Sequence, residues 1–282
     1  MMFRGDHRTP AAVWMALLLV APGSAVAGLK LSLRPAHASV VRFESIPVFV
    51  KIVNDSGKVF ATRGAGDAKG AEVTFVIERA DQRLVSRTRK EPMCEKFSLG
   101  PDEGREIMVD VSRWYEMASI GKYVVRAAVE WEGQSFLSDQ VLLDVVNGIE
   151  VAEVEREVPG YPDRVRRYSL RYWPRESGEH LFLSVDEDRA HMNYGVFEVG
   201  TVLRVMRPAI EVDRAGKVRV THQSGPDRVT RTLFESAPDG VVFVDQTYHN
   251  LDGSPYGVAP AGPAPAATNV PGRPVVKRRG RP

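Results

Sequence analysis

The chain has 282 residues, 43% hydrophobic and 26% charged, with a formal net charge of +2. That is enough length and apolar content for one or two packed domains, and too even a charge balance to indicate a nucleic-acid partner. The charge is unevenly placed: residues 256–282 carry five basic residues and no acid, residues 1–27 a net of +1, and the body between them −4.

The N-terminus reads in three zones. Arg4, His7 and Arg8 precede the apolar run Ala11–Val20, then Pro22, Gly23 and Ser24 break it before Ala25-Val26-Ala27. This is the pattern of a cleavable signal peptide cut after Ala27, and the run is too short to span the ~30 Å of a bilayer core. The mature chain is expected in the periplasm or secreted, beginning near Gly28, with no transmembrane segment. Cys94 is the single cysteine, so no intrachain disulfide forms. An exported domain without disulfides rests on its core, and the thiol is expected to be half-buried and inert.

Residues 28–147 are dominated by period-2 alternation and short apolar runs. Leu29, Leu31 and Leu33 alternate with polar residues up to Pro35. Phe43–Val53 is a long strand candidate with an edge or bulge at Pro47. Asn54–Gly57 is a turn, Val73–Glu78 a strand, and Arg83–Ser86 its hairpin partner across Asp81-Gln82. Gly64–Gly70 is a loop. Glu106–Asp110 is a strand and Val111–Tyr115 a short crossover. Gly121-Lys122-Tyr123-Val124-Val125-Arg126-Ala127 opens a strand, Glu132-Gly133 turns it, and Phe136–Val146 returns. This last passage resembles the closing strands of immunoglobulin-like β-sandwiches in bacterial exported proteins, a resemblance of fold over about 28–147 that implies no particular activity. Trp114, Tyr115 and Tyr123 are expected to fill the core, with a tyrosine hydroxyl tied to backbone.

Asn147-Gly148 marks a seam. Beyond it, residues 148–252 read as a second antiparallel β module, a meander, sandwich or small barrel, with turn signals every 8–12 residues. The expected strands are Ile149–Val158, Arg167–Trp173, His180–Val185, Gly200–Val205, Ala209–Val212, Val218–His222, Thr230–Phe234 and Val241–Tyr248, with a firm break at Pro159–Asp163 and a solvated acidic loop at Asp186-Glu187-Asp188. Residues 253–282, rich in Pro, Ala and Gly, are expected to be a disordered basic tail able to touch an anionic envelope surface.

The fold class is therefore all-β, and the leading function is that of an exported, non-enzymatic binding or structural protein of the cell envelope. Its partner would be a protein or an envelope polymer, and no cofactor is expected. Hydrolase elbows, phosphate-binding glycine loops and paired Cys-x-x-Cys are absent from the sequence. Two other readings stand beside it. The first is a hydrolase or metalloprotein drawing on His180, Asp186, Asp188, His191, His222 and His249, since imidazole and carboxylate suit zinc, though no metal-ligand spacing links them. The second is a protease-inhibitor-like domain presenting the loop 62–70. A ligand face could be built from Tyr168, Tyr172 and Trp173, with the two tyrosines expected on one side of a strand and Leu170 on the other.

Overall fold

The computed structural model describes residues 28–64, 70–187 and 192–257. The expected leader and its cut after Ala27, residues 65–69 of the 62–70 loop, and the tail beyond Gly257 lie outside the described residues. In chain order the strands are β1 (Leu29–Pro35), β2 (Ser39–Val41), β3 (Pro47–Asn54), β4 (Phe60–Ala61), β5 (Glu72–Arg79), β6 (Ser98–Leu99), β7 (Gly104–Asp110), β8 (Gly121–Trp131), β9 (Gln134–Leu137) and β10 (Val141–Val146). They continue with β11 (Ile149–Val158), β12 (Tyr161–Arg175), β13 (Gly178–Glu187), β14 (Met192–Thr201), β15 (Ala209–Val212), β16 (Lys217–Gln223), β17 (Arg228–Ala237) and β18 (Gly240–Asn250). The helical element among the described residues is a three-residue 3-10 turn, Val111–Arg113, capped by the Asp110 carboxylate on the Ser112 N–H.

Eight of the first ten strands make an immunoglobulin-like sandwich, and β4 and β6 pair in a small sheet of their own. One sheet has the order β1-β3-β7, the other β2-β10-β8-β5 with β9 beside β8, and β2 runs parallel to β10. Alternation decides what is inside: Val48, Val50 and Ile52 of β3 face Val73, Phe75 and Ile77 of β5 and Tyr123, Val125, Ala127 and Val129 of β8 across one core. Burying each large side chain stabilises the fold by about 1.5–3 kcal/mol. The Tyr123 hydroxyl donates to the Ser119 carbonyl at 2.6 Å, four residues upstream, which is the tyrosine corner of such sandwiches. Tyr115 is used in the same spirit, its hydroxyl donating to the Phe75 carbonyl at 2.8 Å and accepting the Phe75 N–H at 3.0 Å.

The remaining strands form two meanders, β11-β12-β13-β14 and β15-β16-β17-β18, packed face to face. Their shared core holds Tyr168, Leu170, Tyr172, Leu181, Leu183, Val185, Phe197, Val199, Val218, Val220 and Phe234. Of the three expected arrangements, this is the sandwich. The expectation for Leu170 is corrected: residues two apart in a strand share a face, so Leu170 lies between the two tyrosines.

Several strand limits also differ from the periodicity reading. β3 starts at Pro47, where a missing N–H costs no ladder bond at the strand's first residue, and Phe43 sits at φ +70°. Phe136–Val146 is split, because Ser138 turns its hydroxyl back onto the Ala127 N–H at 2.9 Å. Arg83–Ser86 contributes a single bridge, Glu78 to Leu84, instead of a strand. The break after Val158 shrinks to a tight turn, and β12 runs through Pro162 with a register shift at Glu157–Val158. β14 occupies Met192–Thr201, and Gly200–Val205 leaves the sheet after Thr201. The acidic triplet is not a loop at its start: Asp186 and Glu187 end β13, and Glu187 is buried.

The two sandwiches meet on the outer face of the β11–β14 sheet. Val41 of β2 packs with Phe182 and Val196, and Trp173 covers them. Trp173 Nε1 donates to Ser39 Oγ at 2.8 Å, and Arg175 holds both Glu44 carboxylate oxygens at 2.6 Å and also bonds the Ser39 carbonyl. No helix among the described residues is long and apolar enough to cross a membrane.

Candidate functional site

The residues nominated by the sequence scatter. His222 is buried on β16, its Nε2 3.1 Å from the Thr201 carbonyl and its Nδ1 without a partner. Burial pushes its pKa down to about 4, so the ring is neutral near pH 7. His249 lies at the exposed end of β18, bonded to Thr247 and the Gly253 carbonyl. Asp186 accepts from Ser184 at 3.1 Å and Asn193 at 2.8 Å. Asp188 and His191 lie outside the described residues. Among the described residues no three metal-ligating side chains gather. Cys94 is half-buried, and burial raises its thiol pKa.

The ligand face proposed from β12 is turned inward. Tyr168 is 1% exposed and shares a hydrogen bond with Ser236 Oγ at 2.7 Å; Tyr172 is 6% exposed in the same core. Trp173 points the other way, into the joint between the sandwiches. In the 62–70 loop, Thr62 is buried and Arg63 is paired with Glu72.

His180 alone among the candidates finds a chemically pointed setting, with partners the sequence reading missed. β12 and β13 are joined by two residues, Glu176 and Ser177, with Arg175 opposite Gly178. Ser177 Oγ lies 2.7 Å from His180 Nε2, and His180 Nδ1 lies 2.6 Å from Glu198 Oε1. Glu198 reaches this spot because of a bulge. His180 pairs with Thr201, but Phe182 pairs with Glu198, so one extra residue enters at Val199–Gly200, where Gly200 takes φ +127°. A regular ladder would set Val199 opposite Phe182 and send Glu198 to the core face; the bulge turns it to the side of His180. Burial pushes the Glu198 pKa up, but the His180 hydrogen bond and the charges of His180, Arg175 and His37 outweigh this and hold it below the usual carboxylate range. An ionised carboxylate only accepts, so Nδ1 carries the proton and a neutral ring leaves Nε2 to accept from Ser177. His180 is buried, and Ser177 is exposed at the hairpin tip.

A second polar cluster is structural. Arg166, fully buried, donates to Ser236 Oγ at 2.8 Å and to the carbonyls of Ala237 and Pro238 at 2.7 and 3.0 Å. Its guanidinium lies 3.7 Å from the Tyr194 ring centre and 3.6 Å from the Glu187 carboxylate. Arg164 grips both Glu187 oxygens at 2.9 Å. The Arg164 hydrogen bonds hold Glu187 below the usual carboxylate range against the opposing effect of burial. The cluster ties the β17–β18 turn to the opposite sheet.

Exposed apolar side chains are spread over both sandwiches, and on the last strand three of them are consecutive. Val242, Phe243 and Val244 are 42%, 42% and 48% exposed. Among the described residues, β17 is the strand that forms a ladder with β18. Toward β14 the seam is bridged by Gln246 Nε2, which donates to the Val199 carbonyl at 2.8 Å. After β18 the chain turns back, with a bridge between His249 and Pro255 and the Tyr256 N–H donating to the Tyr248 carbonyl at 3.0 Å.

No protein-family model matches the chain, and no curated protein matches it. Among solved structures it is similar to one titled as the crystal structure of the periplasmic chaperone SfaE. That match has 10% identity, covers 77% of this chain and 98% of that one, and has a TM-score of 0.23. An overlap that loose carries no argument about this chain.

Proposed function

We propose that the chain is an exported binding protein of the cell envelope that acts by contact, taking an extended segment of a partner protein along β18. The observation that carries this reading is the run of exposed apolar residues Val242, Phe243 and Val244 on a strand with one ladder partner. A terminal strand offers backbone donors and acceptors to an incoming strand, and apolar side chains on it add area that water disfavours. Among the described residues, the chain's own return at Pro255–Tyr256 meets the Tyr248–Asn250 end of β18. The leader pattern at residues 1–27 supports export, and the acidic body with its basic end supports an envelope setting.

The test is photo-crosslinking. A benzoylphenylalanine placed at Phe243 is expected to give a discrete adduct in envelope extract, while one at Leu84, 69% exposed on the first sandwich, gives none. The adduct should disappear when Val242 and Val244 are both changed to Lys. Equal labelling from the two positions, or an adduct indifferent to the lysines, ends the reading.

A further inference from the structure

We propose that Ser177, His180 and Glu198 form a nucleophilic site that takes an acyl group from an ester onto the Ser177 hydroxyl. The site goes beyond the binding role and is independent of it, because it lies on the β12–β13 turn and not on β18. The geometry is that of an activated serine: hydroxyl to imidazole 2.7 Å, imidazole to carboxylate 2.6 Å, on opposite ring nitrogens. Nucleophile and base within hydrogen-bond reach, with the base oriented by a third group, is an arrangement that recurs for serine nucleophiles on unrelated folds.

Each member is placed for its part. The serine is exposed at a two-residue hairpin tip, where a bulky substrate can approach. The base is buried, so its ring is held in one orientation. The carboxylate is brought round by a β-bulge, a device that re-aims side chains in just such places. The site lies at the rim of the joint between the sandwiches, with Arg175 bound to Glu44 of the first.

The chemistry balances with water as the only co-reactant. Ser177 Oγ attacks the ester carbonyl and its proton passes to His180 Nε2. The bond from the carbonyl carbon to the alkoxide breaks, and the departing oxygen takes that proton, leaving an acyl ester on Ser177. Water then attacks, giving its proton to the same nitrogen, and the carboxylic acid leaves as Ser177 regains its hydrogen. Glu198 exchanges no proton; it fixes the ring and favours the imidazolium formed in each step.

The probe is a tagged alkyl fluorophosphonate, applied to the full-length chain, with the modified residue read by mass spectrometry. Ser177 should be labelled well above an exposed serine such as Ser86, and Ser177→Ala should abolish that signal. His180→Gln should slow labelling by about a hundredfold or more. In His180→Gly, added imidazole should restore part of it, which guards against a fold defect. Glu198→Gln should slow it about tenfold or more and move the midpoint of its rise with pH downward, because the lost anion no longer favours the protonated ring. A merely structural glutamate would leave that midpoint where it was. Labelling of Ser177 no faster than Ser86, or indifferent to His180→Gln in a chain with an unchanged circular dichroism spectrum, overturns the proposal. Neither result touches the crosslink at Phe243.

Discussion

The two sandwiches bury different things. Among the described residues the first encloses four polar or charged side chains, Glu44, Asn54, Thr62 and Ser138, while the second encloses ten, including Arg166, Glu187, His222, Gln223, Thr230, Thr232 and Ser236. The first is thus held mainly by apolar area, which is non-directional and insensitive to pH. The second depends on satisfied polar contacts, each worth little net but costly when one partner is lost. The lesson is that one architecture, repeated in a chain, can have two separate vulnerabilities, and unfolding should follow the second sandwich in acid and after polar substitutions.

The sharpest way to break this contrast is Arg166→Met. It takes the buried guanidinium from Ser236 and the Ala237 carbonyl, leaves the Pro238 carbonyl to Arg164 alone and removes a cation beside Glu187, and should destabilise the second sandwich by about 3–5 kcal/mol. Chemical denaturation followed by aromatic fluorescence should show an early transition assignable to that half. A single shifted transition would mean that the joint couples the two halves into one cooperative unit.

Next in size is the response to acid. His222 titrates at about 6.5 when unfolded and about 4 when folded, so the folded state resists taking up its proton. Its contribution is fully present above pH 6.5 and is lost as pH falls toward 4, by about 3 kcal/mol in all. His222→Gln should flatten the stability curve of the second sandwich over that window; a curve of unchanged slope would assign the acid sensitivity elsewhere. The smallest effect belongs to the first sandwich. Tyr115→Phe leaves the Phe75 N–H and carbonyl without their side-chain partner and should cost about 1–3 kcal/mol, at every pH from 5 to 8.

Period-2 alternation carried most of the architecture, because alternate residues of β3, β5 and β8 face one core and the pattern is local. Tyr123 was legible for the same reason: its bond to Ser119 spans four residues. What the sequence did not disclose depends on register. Glu187 looks like a loop acid until Arg164 and Arg166 are seen across β12 and β13. Tyr168 and Tyr172 look like a binding face until the opposing sheet is placed over them. Glu198 lies 18 residues beyond His180, and a single extra residue in β14 decides whether the two can meet. One local signal was available for the hairpin: Ser177 and His180 flank Gly178-Glu179, close enough for a turn to bring hydroxyl and ring together. The chain otherwise gave no warning of which histidine would find partners.

The turn that follows β18 has a practical corollary. Because Tyr256 is stitched back onto Tyr248, a module inserted directly after Gly257 would start beside the Tyr248–Asn250 end of the strand that also carries Val242 to Val244. A fluorescent or affinity module fused there would crowd that edge and could silence an interaction the experimenter hopes to detect. Gly28 is the safer point of attachment, since its carbonyl is bonded to the Asp55 N–H on the other sandwich.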